Sequence, residues 1–200
     1  HERIYEWFSL HYPELKNANI VELVSKHGRR ENIKGFSKSV GVEFSEGDEK
    51  AVREFAYTIQ NLTREKTELE KYVATAMNEV ARNFSSLIDP LLGARLLALA
   101  GSLEKLARMP ASTIQLLGAE KALFRHLHEK GRSPKYGIIF NSELIQKAPN
   151  ASKGKVARVL SSKLMLAARI DYYSGRDESE KMKRELEEDI KKVLDNENAK

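Results

Sequence analysis

Apolar positions between Val52 and Val80 recur at alternating spacings of three and four residues. Val52, Ile59, Lys66, Val73 and Val80 take one seam position, and Phe55, Leu62, Leu69 and Ala76 take the other. A 3.5-residue period sustained over about four heptads predicts a coiled-coil arm, in a helix that starts near Ser45 or Asp48. Lys66 interrupts the seam, and a polar residue there sets register or oligomer state at some cost in stability. A second helix is expected to open at Asp89, as N-cap, with Pro90 at its first position. Leu92, Leu96, Leu99, Leu103 and Leu106 line one of its faces up to Arg108. After a short Asn83–Ile88 connection it is the natural antiparallel partner of the first helix, unless its leucines pack beneath the following lobe.

The flanks of this arm read as shorter helices. Residues 1–13 place Ile4, Trp7, Phe8 and His11 near one face, with Trp7 as a packing anchor, before Pro13 stops the helix. Ile20–Lys26 forms another, with Gly28 as C-cap. The stretch from Gly28 to Val42 reads as a hinge in which Arg29, Arg30 and Lys34 are solvated. Beyond Pro110, Ser112 and Gln115 fit a capping box for a helix ending at Gly118, where a second helix through Lys130 begins. That junction is expected to offer backbone amides, with Glu120 and Lys121 projecting from the first turn. Tyr136–Phe140 is β-like but too short to found a sheet. Asn141 and Ser142 cap a short helix that ends before Pro149.

A basic helix, Ser152–Tyr173, follows. At about 100° per residue, Val156, Leu160, Leu164 and Ala167 share one side, and Lys155, Arg158, Ser162, Met165 and Arg169 share the other. Lys163 falls near the apolar side, where a lysine snorkels. Past Gly175, Met182, Leu186, Ile190 and Val193 form a narrow stripe in a charged surface helix or tail. The expected fold is all-α: an elongated antiparallel coiled-coil arm plus a compact, mainly helical lobe. The expected divisions are 1–110, 111–176 and 177–200.

Charge sharpens this division. Between Ser112 and Arg176 there are twelve Lys or Arg against four Asp or Glu, whereas the rest of the chain carries 22 basic and 25 acidic residues. The net +5 of the whole chain is therefore concentrated in one third of it, the footprint of a surface that meets phosphates. The basic helix suits this role, since a guanidinium plane matches phosphate oxygens and stacks on an unpaired base.

The absence of cysteine excludes disulfides and thiolate metal sites. No apolar run approaches the roughly 20 residues that span a bilayer, and no signal-peptide pattern is present, so a soluble intracellular protein is expected. His126 and His128 lie two apart on a helix and face different ways, which is poor geometry for a shared metal. No GK[ST] follows a glycine-rich run, and neither HExxH nor GxSxG occurs. No enzymatic activity and no cofactor are expected.

The run GAEKALFRHL (118–127), with PKYGIIF (134–140), GKVAR (154–158) and AARID (167–171), closely resembles the Nop domain of box C/D ribonucleoprotein core proteins, most of all the archaeal version. HERIYEWFSLHYPEL at the start and RRENI (29–33) are similar to the same family, so the resemblance covers nearly the whole chain. It implies a non-catalytic scaffold of the RNA-guided 2′-O-methylation machinery. The lobe of such a scaffold binds the composite surface of a kink-turn RNA and the ribosomal-protein-like factor already bound to it.

The resemblance implies that Gly118, Ala119, Glu120 and Lys121 meet the protein partner. Lys121, Arg125, Lys135, Arg158 and Arg169 would meet RNA, with Lys155 and Lys163 as helpers. It further implies a homodimer through the coiled coil, and recruitment of fibrillarin by a separate N-terminal domain that this chain lacks. The chain is thus expected to be a fragment that keeps RNA and kink-turn-protein binding and loses fibrillarin binding. Location would be cytoplasmic in an archaeon and nucleolar in a eukaryote. Two other readings compete: a spliceosomal Nop protein, whose GAEK counterpart differs in pattern, and a coiled-coil adaptor whose basic lobe binds an acidic protein.

Overall fold

A computed structural model describes residues 2–15, 19–129 and 132–198; Lys130, the expected end of a helix, lies outside them. The regular elements are all helices, with no β-strand among the described residues. Two compact units, 1–69 and 70–200, each hold a hydrophobic core.

In the first unit, α1 (Glu2–His11), α2 (Ile20–His27) and the first turns of α3 (Glu46–Val80) enclose Ile4, Phe8, Val24, Val52 and Ala56. Ser45 and Asp48 start α3 with a reciprocal cap. The Asp48 N–H donates to Ser45 Oγ at 3.2 Å, and the Ser45 N–H donates to Asp48 Oδ2 at 2.9 Å. Trp7 is half exposed and leans on Phe55, while Ile4, Phe8 and His11 are buried.

Arg30 departs from the solvated role expected of it. Its side chain is buried, and its Nη1 donates to the carbonyls of His11 at 2.6 Å and Gly41 at 2.7 Å. The Arg30 N–H donates to His11 Nε2 at 3.1 Å, so Nδ1 carries the ring proton and donates to the Val42 carbonyl at 2.7 Å. A guanidinium buried in this way stands only because backbone carbonyls satisfy its donors. The 28–42 segment is thereby tied to the end of α1 instead of acting as a solvated hinge.

The seam of α3 divides along its length. Val52 is buried in the core of the first unit, with Phe55 and Ile59 packed against it. Residues 61–69 are exposed throughout, including Leu62 and Leu69, and Lys66 lies among them. Val73 packs on the core of the second unit, whereas Val80 is exposed.

The second unit is built around α10 (Lys153–Tyr173), on which α4 (Arg82–Leu87), α6 (Leu103–Arg108), α7 (Ala111–Leu116), α9 (Glu143–Gln146) and α11 (Ser179–Asn198) pack. Val156, Leu160, Leu164 and Ala167 are fully buried, as the period of the sequence requires. The expected 83–88 connection is itself the helix α4. Its first N–H groups, on Asn83 and Phe84, donate to the carboxylate of Asp171 on α10 at 3.0 and 2.9 Å.

The leucine-rich stretch is two helices, α5 (Pro90–Ala100) and α6, because Gly101 adopts φ +88° and Ser102 caps the second. Leu92, Leu96 and Leu106 are buried in the lobe and Leu99 is half exposed, so these leucines serve the lobe core and not a coiled-coil seam. By compactness the chain divides within α3, between residues 69 and 70. Residues 177–200 also belong to the lobe, since Met182 and Leu186 are buried in its core. No helix among the described residues is long and apolar enough to cross a membrane.

Candidate nucleic-acid and protein interface

The end of α7 and the segment at Gly137 are joined by backbone contacts that only glycine allows. The Gly137 N–H donates to the Gln115 carbonyl at 2.7 Å and the Ile138 N–H to the Leu117 carbonyl at 2.8 Å. A Cβ on Gly137 would lie 1.9 Å from the Leu117 oxygen, so any other residue would push the two segments apart. The expected β-like run is instead a 3-10 turn, Ile138–Asn141, held to α7 by this bridge. Tyr136 and Phe140 stack at 4.6 Å, and the Lys153 ammonium sits 5.5 Å from the Phe140 ring centre.

Ser112 and Gln115 form no capping box, since α7 begins at Ala111 and Ser112 lies within it. The Gln115 side chain turns the other way, and its Nε2 donates to the Lys135 carbonyl at 2.6 Å. This places Lys135 opposite the start of α10. Lys135, Lys155 and Arg158 line one pocket of about 360 Å³, together with Ser112, Gln115 and Gly154. A Cβ on Gly154 would meet nothing within 4 Å, so the backbone there is open to approach. Three of the cations expected from the sequence thus converge on one opening. Spacing gave no signal for Gln115, because its task depends on a residue twenty positions away.

The junction of α7 with α8 (Glu120–Glu129) is more self-satisfied than the sequence suggests. The Gly118 N–H donates to Glu120 Oε1 at 2.7 Å and the Ala119 N–H to the Leu116 carbonyl at 2.9 Å, so neither amide is spare. Gly118 holds φ +83°, and a Cβ there would strike Ile138 Cγ2. Lys121 and Arg125 are exposed on α8, and no described residue of this helix is buried. Its Phe124 and Leu127 are 62% and 70% exposed, an apolar surface that chemistry suits to a protein partner.

Two further cations separate. Arg169 is exposed on the same side of α10 as Arg158, and its Nε donates to the Ala107 carbonyl at 3.1 Å, which fixes the guanidinium in place. Lys163 is turned away: its Nζ lies 2.8 Å from Glu185 Oε2 and 3.3 Å from Asp189 Oδ2 on α11, and its side chain is 14% exposed. Burial alone would lower the lysine, but the bonds to Glu185 and Asp189 hold it above its usual range. Lys163, expected as a helper in RNA binding, is thus engaged in an ion pair between α10 and α11. Among the described residues no group of three His, Asp or Glu side chains is placed to hold a metal.

Comparison with known proteins concerns the chain as a whole. A family model named Nop, described as snoRNA binding domain, fibrillarin, matches residues 1–196. A NOP5 family protein of Methanocaldococcus jannaschii is 42% identical over 94% of this chain and 51% of its own length. Nucleolar protein 58 of Emericella nidulans is 39% identical, with 88% of this chain and 34% of the relative covered. Nucleolar protein 56 of Caenorhabditis elegans is 37% identical, over 86% and 42%. The chain therefore spans about half the archaeal relative and a third to two fifths of these eukaryotic ones. Among solved structures, that of a fibrillarin/NOP5p complex aligns with a TM-score of 0.52 and 32% identity, covering 94% of this chain and 65% of that one. By the extent of the family match and by these identities, the chain belongs to the Nop family.

Proposed function

We propose that this chain is the scaffold portion of a box C/D ribonucleoprotein that guides 2′-O-methylation of RNA. Its lobe binds the joint surface of a kink-turn RNA and the kink-turn protein already seated on it. The observation that carries this reading is the convergence of Lys135, Lys155 and Arg158 on one pocket beside α7. That same helix leads into Gly118 and the exposed α8. A cationic pocket suits the RNA backbone, and Phe124 and Leu127 with Lys121 suit the protein. Because guide pairing selects the methylation target, the protein reads shape and phosphates more than sequence.

The exposed Leu62 and Leu69 on α3 support pairing with a second copy through the coiled coil. Fibrillarin appears in the name of the solved neighbour, and in this reading its recruitment lies with a part of the protein other than this chain. The chain itself contributes binding and positioning, with no catalytic group. The names of the eukaryotic relatives fit a nucleolar site of action in a eukaryote, and an archaeal version acts in the cytoplasm.

A gel shift on a kink-turn RNA, with and without the kink-turn protein, tests the reading. A supershift only on the preformed complex supports it. Equal retention of naked RNA of any sequence leaves a generic basic module, and retention that never depends on RNA leaves a protein adaptor.

A further inference from the structure

The basic face of α10 does not end at Arg169. Lys155, Arg158, Ser162, Met165, Arg169 and Tyr172 follow one another at spacings of three and four, so they form one stripe. Tyr173 falls at the edge of the same face, within about 50° of its centre. At 1.5 Å per residue the stripe is about 26 Å long, several times the spacing of successive phosphates in a strand. Its far end differs in chemistry from its start: there the surface is aromatic.

Tyr172 and Tyr173 are 41% and 64% exposed, and their rings meet edge to face at 4.9 Å. Two adjacent tyrosines at the end of a helix would bury their rings if packing were their only task. Beside them stand two guanidinium groups. Arg169 is anchored by its bond to the Ala107 carbonyl. Arg108, next to Ala107 on α6, is exposed and pairs with Glu104 Oε1 at 2.6 Å. The acids nearby are occupied: Asp171 caps α4, and Asp177 pairs with Arg82.

We propose that Tyr172 and Tyr173, flanked by Arg108 and Arg169, form a stacking platform for unpaired nucleotides of the RNA that the start of α10 grips. This rests on the RNA-binding reading given above and adds to it a second contact of a different kind. The pocket at Lys135 and Arg158 neutralises phosphates, which every RNA has. The platform selects for bases that are free to leave a duplex, because an exposed aromatic ring accepts any base face and a paired base offers none. The neighbouring guanidiniums fit the phosphates of the same nucleotides or stack in turn.

The test uses the chain with its kink-turn protein and two RNAs, one blunt beyond the kink-turn and one carrying a six-nucleotide single-stranded extension. The wild type is expected to bind the extended RNA more tightly. The Tyr172→Ala/Tyr173→Ala variant is expected to lose about 5- to 100-fold on the extended RNA and to match the wild type on the blunt one. Tyr172→Phe/Tyr173→Phe keeps the rings and is expected to keep the extended-RNA advantage, which separates stacking from a fold defect. Arg158→Ala is expected to weaken both RNAs alike. A wild type with no preference for the extension, or a double alanine variant that weakens both RNAs equally or neither, overturns the platform while leaving the pocket intact. A wild type that binds neither RNA overturns both readings.

Discussion

Lys163 and Glu185 approach to 2.8 Å across the α10–α11 contact, so a lysine on the basic helix is committed to the interior of the lobe. With Asp189 at 3.3 Å it forms a three-membered network. The Lys163→Ala variant is expected to loosen α11 and lower stability by about 1 kcal/mol, a value reduced because both carboxylates are more than a third exposed. A double-mutant cycle with Glu185→Gln, read by urea unfolding, checks the coupling. RNA affinity is expected to be unchanged, and a loss of affinity without a loss of stability would return Lys163 to the RNA surface.

The Asp177 carboxyl is held down at about 2 by bonds from the Ser179 hydroxyl and N–H and by Arg82. A carboxyl depressed on folding stabilises the protein above its unfolded value and loses that contribution as pH falls toward its folded one. The melting-temperature gap between wild type and Asp177→Asn is expected to be constant at neutral pH and to close between about pH 4 and pH 2. A gap that persists at pH 2 would show that the asparagine acts by another route.

Gly118→Ala meets two obstacles: a φ of +83° and Ile138 in the path of the new methyl group. A loss of about 1–3 kcal/mol is expected, with weaker binding to the kink-turn protein. Adding Ile138→Ala removes the collision but not the backbone strain, so it is expected to recover only part of the stability. Full recovery would mean that the positive φ is not costly there.

Arg158→Ala is expected to weaken binding to the RNA–protein complex and to reduce the slope of log affinity against log salt by about one, the signature of one lost phosphate contact. Lys121→Ala is expected to weaken the supershift through the protein side of the joint surface. An unchanged slope in Arg158→Ala contradicts its place in the pocket.

Leu62→Glu together with Leu69→Glu puts charge on the exposed part of the α3 seam. Sedimentation is expected to show a shift from dimer to monomer with unchanged helicity. A wild type that is already monomeric at high concentration contradicts pairing through this stretch.

What the chain revealed in advance was periodic. The buried set Val156, Leu160, Leu164 and Ala167 follows from a 3.6-residue repeat, and the cap at Asp89 follows from an acid before a proline. What it concealed was non-local. Arg30 looks like a loop cation until it meets His11, nineteen residues earlier. Lys163 pairs with Glu185, which lies 22 residues away on another helix, and Gln115 looks like half of a capping box until its amide finds Lys135. The break at Gly101 was within reach, since a glycine followed by serine inside a leucine repeat permits one helix to end and another to start. Three of the expected cations share the pocket because α10 carries two of them on one face; the third depends on the Gly137 bridge, which no local pattern announces.

The cap that Asp171 supplies to α4 bears on the order in which the protein forms as it is made. The first amides of α4 wait for a carboxylate 87 and 88 residues further along the chain. The first unit draws its core from residues 4–56 and can close while the ribosome is still translating the lobe. The lobe has no such head start, since α4 and α6 pack on α10 and expose their leucines until it emerges to cover them. The emergence of α10, and not the synthesis of the leucine-rich middle, is therefore the moment at which the basic face comes into being.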